Sequence, residues 1–249
     1  MTLELALLVT VVFIFSALIK GWSGFGTNLL AMPMLLILGF LKTEAVPIVI
    51  TVNIFLNIAI LIENKKFKLS SLNNIMVLVV LGVVFTFVGQ IFLKNSNADI
   101  IKIILGFFII LTVLNKGLKL KFTVTNKERY YIPIGIISGL LNGIAGLGGL
   151  PVLLLLSNSN MKKDEFRTTL VSYFLVMNIV AVIGFIINGL YNSLVFSYIG
   201  LVVVVSLAVC MFGVYLSRRV DDKWFQRVML LILFALGSYT MYTGIAGLV

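Results

Sequence analysis

A lysine and three glycines interrupt an apolar run near the start of the chain, in the stretch IKGWSGFGTNLLAMP at residues 19–33. Glycines at this spacing break a helix, and the helix that resumes after them has unpaired backbone N–H groups at its N-terminus. Those groups attract anions, and Lys20 adds a full positive charge beside them. The stretch GIAGLGG at residues 143–149 repeats the glycine pattern. The two breaks together predict a binding site for an anion.

The composition places both breaks in a membrane protein. Hydrophobic residues make up 61% of the 249 residues and charged residues 11%, and the mean hydropathy is +1.16, far outside the range of soluble domains. Several uncharged runs are long enough to cross a bilayer as helices at ~1.5 Å per residue, and the alternation typical of a membrane β-barrel is missing. We therefore expect an all-α integral membrane protein whose main partner is the lipid bilayer.

The apolar runs predict about eight to ten helical segments. The first run has neither a basic start nor a cleavage site, so we expect it to stay in the mature protein. The ten candidate elements cover residues 3–20, 27–41, 45–62, 73–93, 99–117, 131–143, 149–157, 167–188, 192–216 and 224–247.

An internal repeat divides the ten elements into two sets of five. Residues 21–42 and 142–163 both run from a glycine cluster through a proline and several leucines to a lysine, which is the self-similarity of a repeat. We expect a first repeat at residues 1–117, a cytoplasmic linker at 118–130 and a second repeat at 131–249. The two repeats together form one transmembrane domain.

The basic residues predict that the repeats are inverted relative to each other. Of the 19 lysines and arginines, alternating spans place only Lys42, Lys94 and Lys102 on one side, with Lys20 set aside. The rest fall on the other side, which the positive-inside rule makes cytoplasmic. Both termini are then outside and the loops at residues 63–72 and 115–130 inside. Inverted repeats are typical of transporters.

Two of the elements predict a re-entrant hairpin. Residues 131–143 and 149–157 are too short to cross a core of about 30 Å, so we expect them to enter from the cytoplasm and turn back at the second break. By the repeat, elements one and two open the first half with a similar hairpin. The first element is long enough to span, which leaves open whether it crosses fully.

The candidate substrate-binding residues lie at the breaks and on the elements beside them. Lys20 supplies charge, Trp22 and Phe25 an apolar wall, and polar side chains hydrogen bonds, while the glycines let backbone approach the ligand. The full set is Lys20, Trp22, Ser23, Gly24, Phe25, Gly26, Asn28, Asn53, Asn57, Asn142, Gly146, Gly148, Gly149, Arg167 and Thr168.

Structural roles remain open for most of these residues. The glycines also permit close helix packing, and the asparagines also serve as interhelical hydrogen-bond partners. Lys20 reaches the surface instead if the first element spans. Arg167 and Thr168 begin an element, where capping and gating are both open.

Other functional classes lack the residues they need. The chain has no histidine and a single cysteine, Cys210, so we expect no intramembrane enzyme, no metal site and no cofactor. No P-loop follows the second glycine cluster. The net charge of +10 belongs to loops, so we expect no nucleic-acid partner. A homo-oligomer is left open.

Two long stretches resemble one family. GWSGFGTNLLAMPMLLILGFLKTEAVPIVITVNIFLN at residues 21–57 and GLLNGIAGLGGLPVLLLLSNSNMKKDEFRTTLVSYFLVMN at residues 139–178 resemble the TauE/SafE family of membrane permeases, the sulfite exporter group. One departure is Leu150, where one branch of the family has the first of two prolines.

The resemblance implies a secondary transporter for sulfite, a sulfonate or a related anion in the bacterial inner membrane. A carrier for a small carboxylate and a passive anion channel remain alternatives. Proton coupling is open: without a histidine or a mid-membrane carboxylate, a proton would travel on the substrate itself. The direction of transport and the substrate are also open.

Overall fold

The computed structural model describes residues 3–63, 75–117, 128–157, 163–219 and 222–248. Within these ranges the chain is helical and contains no strand, which confirms the all-α prediction. The helices are α1 (Leu3–Ser23), α2 (Thr27–Ile37), α3 (Lys42–Glu63), α4 (Met76–Asn95), α5 (Ala98–Gly117), α6 (Glu128–Ala145), α7 (Gly149–Ser157), α8 (Lys163–Ile187), α9 (Ser193–Leu216) and α10 (Asp222–Ala246).

Each predicted element corresponds to one helix, and the largest boundary differences lie beside glycines and charges. Helix α2 ends at Ile37 because Gly39 has a φ of 89°, a left-handed conformation that stops a helix. Helix α6 is longer than its apolar run because Glu128 and Arg129 are good helix formers. It also continues through Gly143, so the second break begins after Ala145.

The two breaks have left-handed backbone at glycine. Gly24 and Gly26 have φ values of 81° and 104°, and Gly146 has a φ of 68°. Residues with a side chain pay a steric cost in this left-handed conformation. The glycines therefore end α1 and α6 and let α2 and α7 start in a new direction.

In the part of the chain that the structure describes, seven helices are long and apolar enough to cross a bilayer: α1, α3, α4, α5, α8, α9 and α10. Large apolar side chains on them point outward, among them Ile187, Val204 and Leu231, which are 75%, 69% and 70% exposed. Lipid is the environment that suits such surfaces. The chain is a multi-pass membrane protein, and α1, which the sequence leaves open, has the length of a full span.

Two pairs of closely packed helices occupy corresponding positions in the two halves. Helix α1 packs along α9, and α6 packs along α4; these contacts are equivalent if α1 corresponds to α6 and α9 to α4. A Cβ added at Gly21 would overlap the carbonyl oxygen of Cys210 in α9, and one added at Gly143 would overlap that of Thr86 in α4. The first glycine of each copy thus allows a close helix crossing.

Two contacts between helix ends agree with alternating spans. Lys42 at the start of α3 donates hydrogen bonds to the carbonyls of Leu93 and Lys94 at the end of α4. Arg218, just after α9, forms a 2.5 Å ion pair with Glu63 at the end of α3. The orientation of these sides in the cell, the inversion of the halves and the domain limits stay predictions. Residues 64–74 and 118–127, which carry most of the two predicted cytoplasmic loops, lie outside the described residues.

Candidate functional site

The two glycine breaks meet through one asparagine. Asn28, the second residue of α2, donates a hydrogen bond from its side-chain amide to the carbonyl of Gly146 in the other half. Its side-chain oxygen accepts a hydrogen bond from the amide of Asn53 in α3. All three residues are buried. The chain therefore brings together residues that are more than a hundred positions apart.

A cavity lies where the breaks meet. It encloses about 380 Å³ of space free of protein atoms, including its open mouth. The N-terminal residues of α2 and α7 both line it. The residue before α2 is Gly26, so no side chain of that residue caps the first N–H groups of this helix. Two helix N-termini on one cavity create a positive potential there. The lining comprises Lys20, Phe25, Gly26, Thr27, Asn28, Leu29, Asn53, Gly146, Leu147, Gly149, Leu150, Leu153, Phe174 and Asn178.

The two short helices that begin at the cavity are too short to cross a bilayer. Helix α2 has 11 residues and α7 has 9, so they rise about 16 Å and about 14 Å. Each is close to half of a hydrocarbon core of roughly 30 Å. The first two residues of each short helix, Thr27 and Asn28 in α2 and Gly149 and Leu150 in α7, are buried in the protein.

Lys20 is the charged side chain of the cavity. It is 2% exposed, so it does not reach the protein surface, and its Nζ lies 4.8 Å from the centroid of the Phe174 ring. In the described part of the chain, no carboxylate forms an ion pair with Lys20. A buried ammonium without an anionic partner is costly, and the ring face offsets only part of that cost.

Several buried polar atoms near the cavity have no hydrogen-bond partner within the described ranges. Thr27 Oγ1 and Asn53 Oδ1 belong to cavity-lining residues, and both side-chain atoms of Asn57 lie one helical turn beyond Asn53. Unpaired buried polar atoms cost free energy. Two of these costly atoms thus belong to residues of the cavity wall. Among the described residues, no group of acidic, cysteine or histidine side chains could hold a metal ion.

Seven of the fifteen predicted site residues line the cavity: Lys20, Phe25, Gly26, Asn28, Asn53, Gly146 and Gly149. The remaining eight lie around it and do not line it. Trp22 and Thr168 are buried, and Asn57 is fully buried. Their part in binding stays a prediction.

Two of these surrounding residues make hydrogen bonds that hold the breaks. The single hydroxyl proton of Ser23 is shared between the carbonyls of Ile19 and Phe25, which lie 2.8 and 2.5 Å from Ser23 Oγ, and this contact closes the end of α1. Asn142 donates a 3.1 Å hydrogen bond to the Met177 carbonyl and ties α6 to α8.

Gly148 also faces α6 rather than the cavity. A Cβ added there would lie 2.5 Å from Asn142 Cβ and 2.5 Å from the Ser138 carbonyl oxygen. The absence of a side chain at Gly148 thus lets the arms of the second hairpin approach.

Arg167 connects α8 to the first break. Its guanidinium donates a 2.6 Å hydrogen bond to the carbonyl of Gly21, one of the last four carbonyls of α1, which have no partner within the helix. A Cβ added at Gly24 would lie 3.1 Å from Arg167 Cγ. Arg167 therefore caps α1, and its role as a gate stays a prediction.

The sequence-based site set misses seven lining residues: Thr27, Leu29, Leu147, Leu150, Leu153, Phe174 and Asn178. The leucines give no signal, because they resemble every other apolar position. A signal for Phe174 exists in the repeat, since alignment of Glu44 with Glu165 puts Phe174 opposite Asn53. The same alignment puts Asn178 opposite Asn57.

The fold and the cavity define a class: a polytopic α-helical membrane protein with broken helices whose N-termini meet inside it, as in secondary transporters. A family model described as sulfite exporter TauE/SafE matches residues 8–240. The chain belongs to the TauE/SafE family, which confirms the resemblance. No curated protein and no solved structure matches the chain.

Proposed function

We propose that this protein is a secondary transporter that moves a small sulfur-containing anion, such as sulfite or an organosulfonate, across the plasma membrane. The observation that carries the proposal is the coincidence of Lys20 with the N-termini of α2 and α7 on one buried cavity. A lysine side chain and two helix dipoles at one site favour a compact anion. Membership of the sulfite exporter family favours an anion that contains sulfur.

The ligand would be held by groups of different kinds. Lys20 would pair with the charge, the backbone N–H groups at the starts of the two short helices would donate hydrogen bonds, and Phe25 would form part of the apolar wall. The absence of side chains at Gly146 and Gly149 lets Asn28 and Phe174 pack at the cavity wall, which would keep these backbone groups close to the ligand.

The proposed mechanism is alternating access. Each half contributes one break and one short helix to the cavity, so movement of one half against the other would change the side from which the cavity is reached. The proposal takes the halves as inverted repeats, as the basic residues predict. The equivalent packing of α1 on α9 and α6 on α4 supports a two-fold relationship between the halves.

Counterflow in proteoliposomes tests the proposal. Purified protein would be reconstituted, and uptake of radiolabelled sulfite measured with and without unlabelled sulfite inside, with protein-free liposomes as the blank. A transporter predicts saturable uptake that internal sulfite stimulates. Uptake that neither saturates nor responds to internal sulfite would identify a channel. A panel of thiosulfate, taurine, sulfoacetate and small carboxylates as competitors identifies the preferred anion, and no uptake or competition by any of them would refute the proposal.

A further inference from the structure

We infer that the anion bound in this cavity carries a hydrogen-bond donor of its own, which Asn53 Oδ1 accepts. The inference rests on the proposed function and narrows its substrate class. It concerns a feature of the cavity that positive charge and helix N-termini do not explain, namely a buried acceptor that has no partner among the described residues.

The orientation of Asn53 follows from a chain of two hydrogen bonds that starts at the backbone. The Gly146 carbonyl can only accept, so the side-chain atom of Asn28 that faces it must be the NH₂ group. Asn28 Oδ1 then faces Asn53 and can only accept, so Asn53 must present its own NH₂ group to it. Flipping either amide would bring two acceptors or two donors together. The remaining atom of Asn53 is therefore Oδ1, an acceptor.

Asn53 Oδ1 has no hydrogen-bond partner among the described residues, and Asn53 is 3% exposed. The residue Asn53 lines the same cavity as Lys20. An oxyanion without hydrogens offers only acceptors, which Asn53 Oδ1 would repel. Thr27 Oγ1 is unpartnered too, but a hydroxyl donates or accepts and so does not discriminate.

The substrate class follows from these two demands. The ligand needs a negative group for Lys20 and the helix N-termini, and an O–H or N–H group for Asn53. Hydrogen sulfite and hydroxyl- or amino-bearing sulfonates meet both demands, whereas fully deprotonated sulfite and simple alkyl sulfonates meet only the first. Where the donor is an acidic proton, that proton crosses the membrane with the anion and needs no titrating side chain.

Two anions matched in size and charge test the inference. 2-Hydroxyethanesulfonate and 1-propanesulfonate have the same number of non-hydrogen atoms and differ by a hydroxyl in place of a methyl group. Their dissociation constants would be measured by calorimetry on the purified full-length protein in detergent at one pH. We expect 2-hydroxyethanesulfonate to bind about tenfold more tightly, because a ligand without the hydroxyl group leaves the buried acceptor unpaired. Glycolate and propionate form an equivalent carboxylate pair.

Asn53→Leu should reduce the preference for the hydroxyl compound to about onefold. Asn188→Leu is the control, because it makes the same substitution at a residue that does not line the cavity and whose side chain bonds the Gly184 carbonyl, and it should keep the wild-type ratio. For each protein, the dissociation constants of the two anions are expressed as a ratio. A substitution that weakens the binding of both anions equally leaves this ratio unchanged.

The outcomes separate the inference from the proposed function. Equal binding of the members of both pairs to the wild-type protein would mean that Lys20 or water satisfies Asn53, and would overturn the inference. The same holds if neither hydroxylated anion binds, whatever sulfite does. The proposed function fails only if sulfite and the competing anions also show no uptake.

Discussion

The side-chain amide of Asn28 donates a hydrogen bond to the carbonyl of Gly146, and this contact joins the first break to the second. Asn28 is the second residue of α2 in the first half, while Gly146 directly follows α6 in the second half. Any movement of one half against the other at the cavity must break this hydrogen bond or carry both residues along. The contact is therefore a structural marker of the conformation described here.

Gly146→Ala should weaken anion binding by disturbing this contact. The left-handed backbone costs alanine about 1–2 kcal/mol, and the added Cβ would lie 2.5 Å from Asn28 Nδ2. Gly189→Ala is the matched control, because Gly189 has a φ of 70° but no atom within 4 Å of the added Cβ. Both variants should lower the melting temperature, and only Gly146→Ala should also raise the dissociation constant for sulfite. Similar affinities in the two variants would count against a role for the contact.

Lys20→Met should weaken sulfite binding by about 1.5 to 3 kcal/mol, the range for hydrogen bonds to charged groups. The methionine fills a similar volume beside Phe174, and the empty protein should become more stable because a buried charge is removed. Lys20→Arg should restore binding only in part, since the guanidinium is a broad planar group. Calorimetry in detergent measures all three proteins.

Amine-reactive labelling of the wild type adds an independent check. Bound sulfite should protect Lys20 from the reagent. Wild-type affinity in Lys20→Met, together with unprotected labelling, would remove Lys20 from the site.

Arg167→Gln should lower the thermal stability of the protein. The change removes a charge-assisted hydrogen bond to the Gly21 carbonyl at the end of α1, worth about 1.5–3 kcal/mol. Arg218→Gln is the control, because Arg218 pairs with Glu63 but its side chain is 59% exposed, and such pairs contribute about 0–1 kcal/mol. The melting temperatures of the two variants would be compared with that of the wild type, using a fluorescent dye that does not react with thiols. A larger decrease for Arg218→Gln would contradict the capping role of Arg167.

Cysteines placed at Asn74 and Asn126 should resist an impermeant thiol reagent in intact cells, because the basic residues predict that both positions are cytoplasmic. Asn97, in the connection between α4 and α5, is exposed and predicted to lie outside, so Asn97→Cys should label rapidly. The natural Cys210 is buried and should give little background. The reverse labelling pattern would invert the orientation of the whole protein.

Local patterns in the sequence predict the helices and the positions of their breaks. Uncharged runs commit the backbone to helices because lipid offers no other hydrogen-bond partners, and clustered glycines end those helices where left-handed backbone is needed. Gly24, Gly26 and Gly146 have that backbone conformation. The presence of Lys20 beside the first break is likewise a property of the sequence alone.

Which of the polar and glycine positions face the cavity depends on the tertiary structure. Neighbouring helix positions point about 100° apart, and residues four apart share a face but differ in depth by about 6 Å. Asn53 therefore lines the cavity while Asn57 does not, although both fit the same pattern. Gly148 packs on α6, whereas Gly149 reaches the cavity. The pairing of Asn28 with Gly146 and the position of Phe174 over Lys20 arise from the rotation and crossing of packed helices, because the partners are too far apart in the chain for any local preference to bring them together.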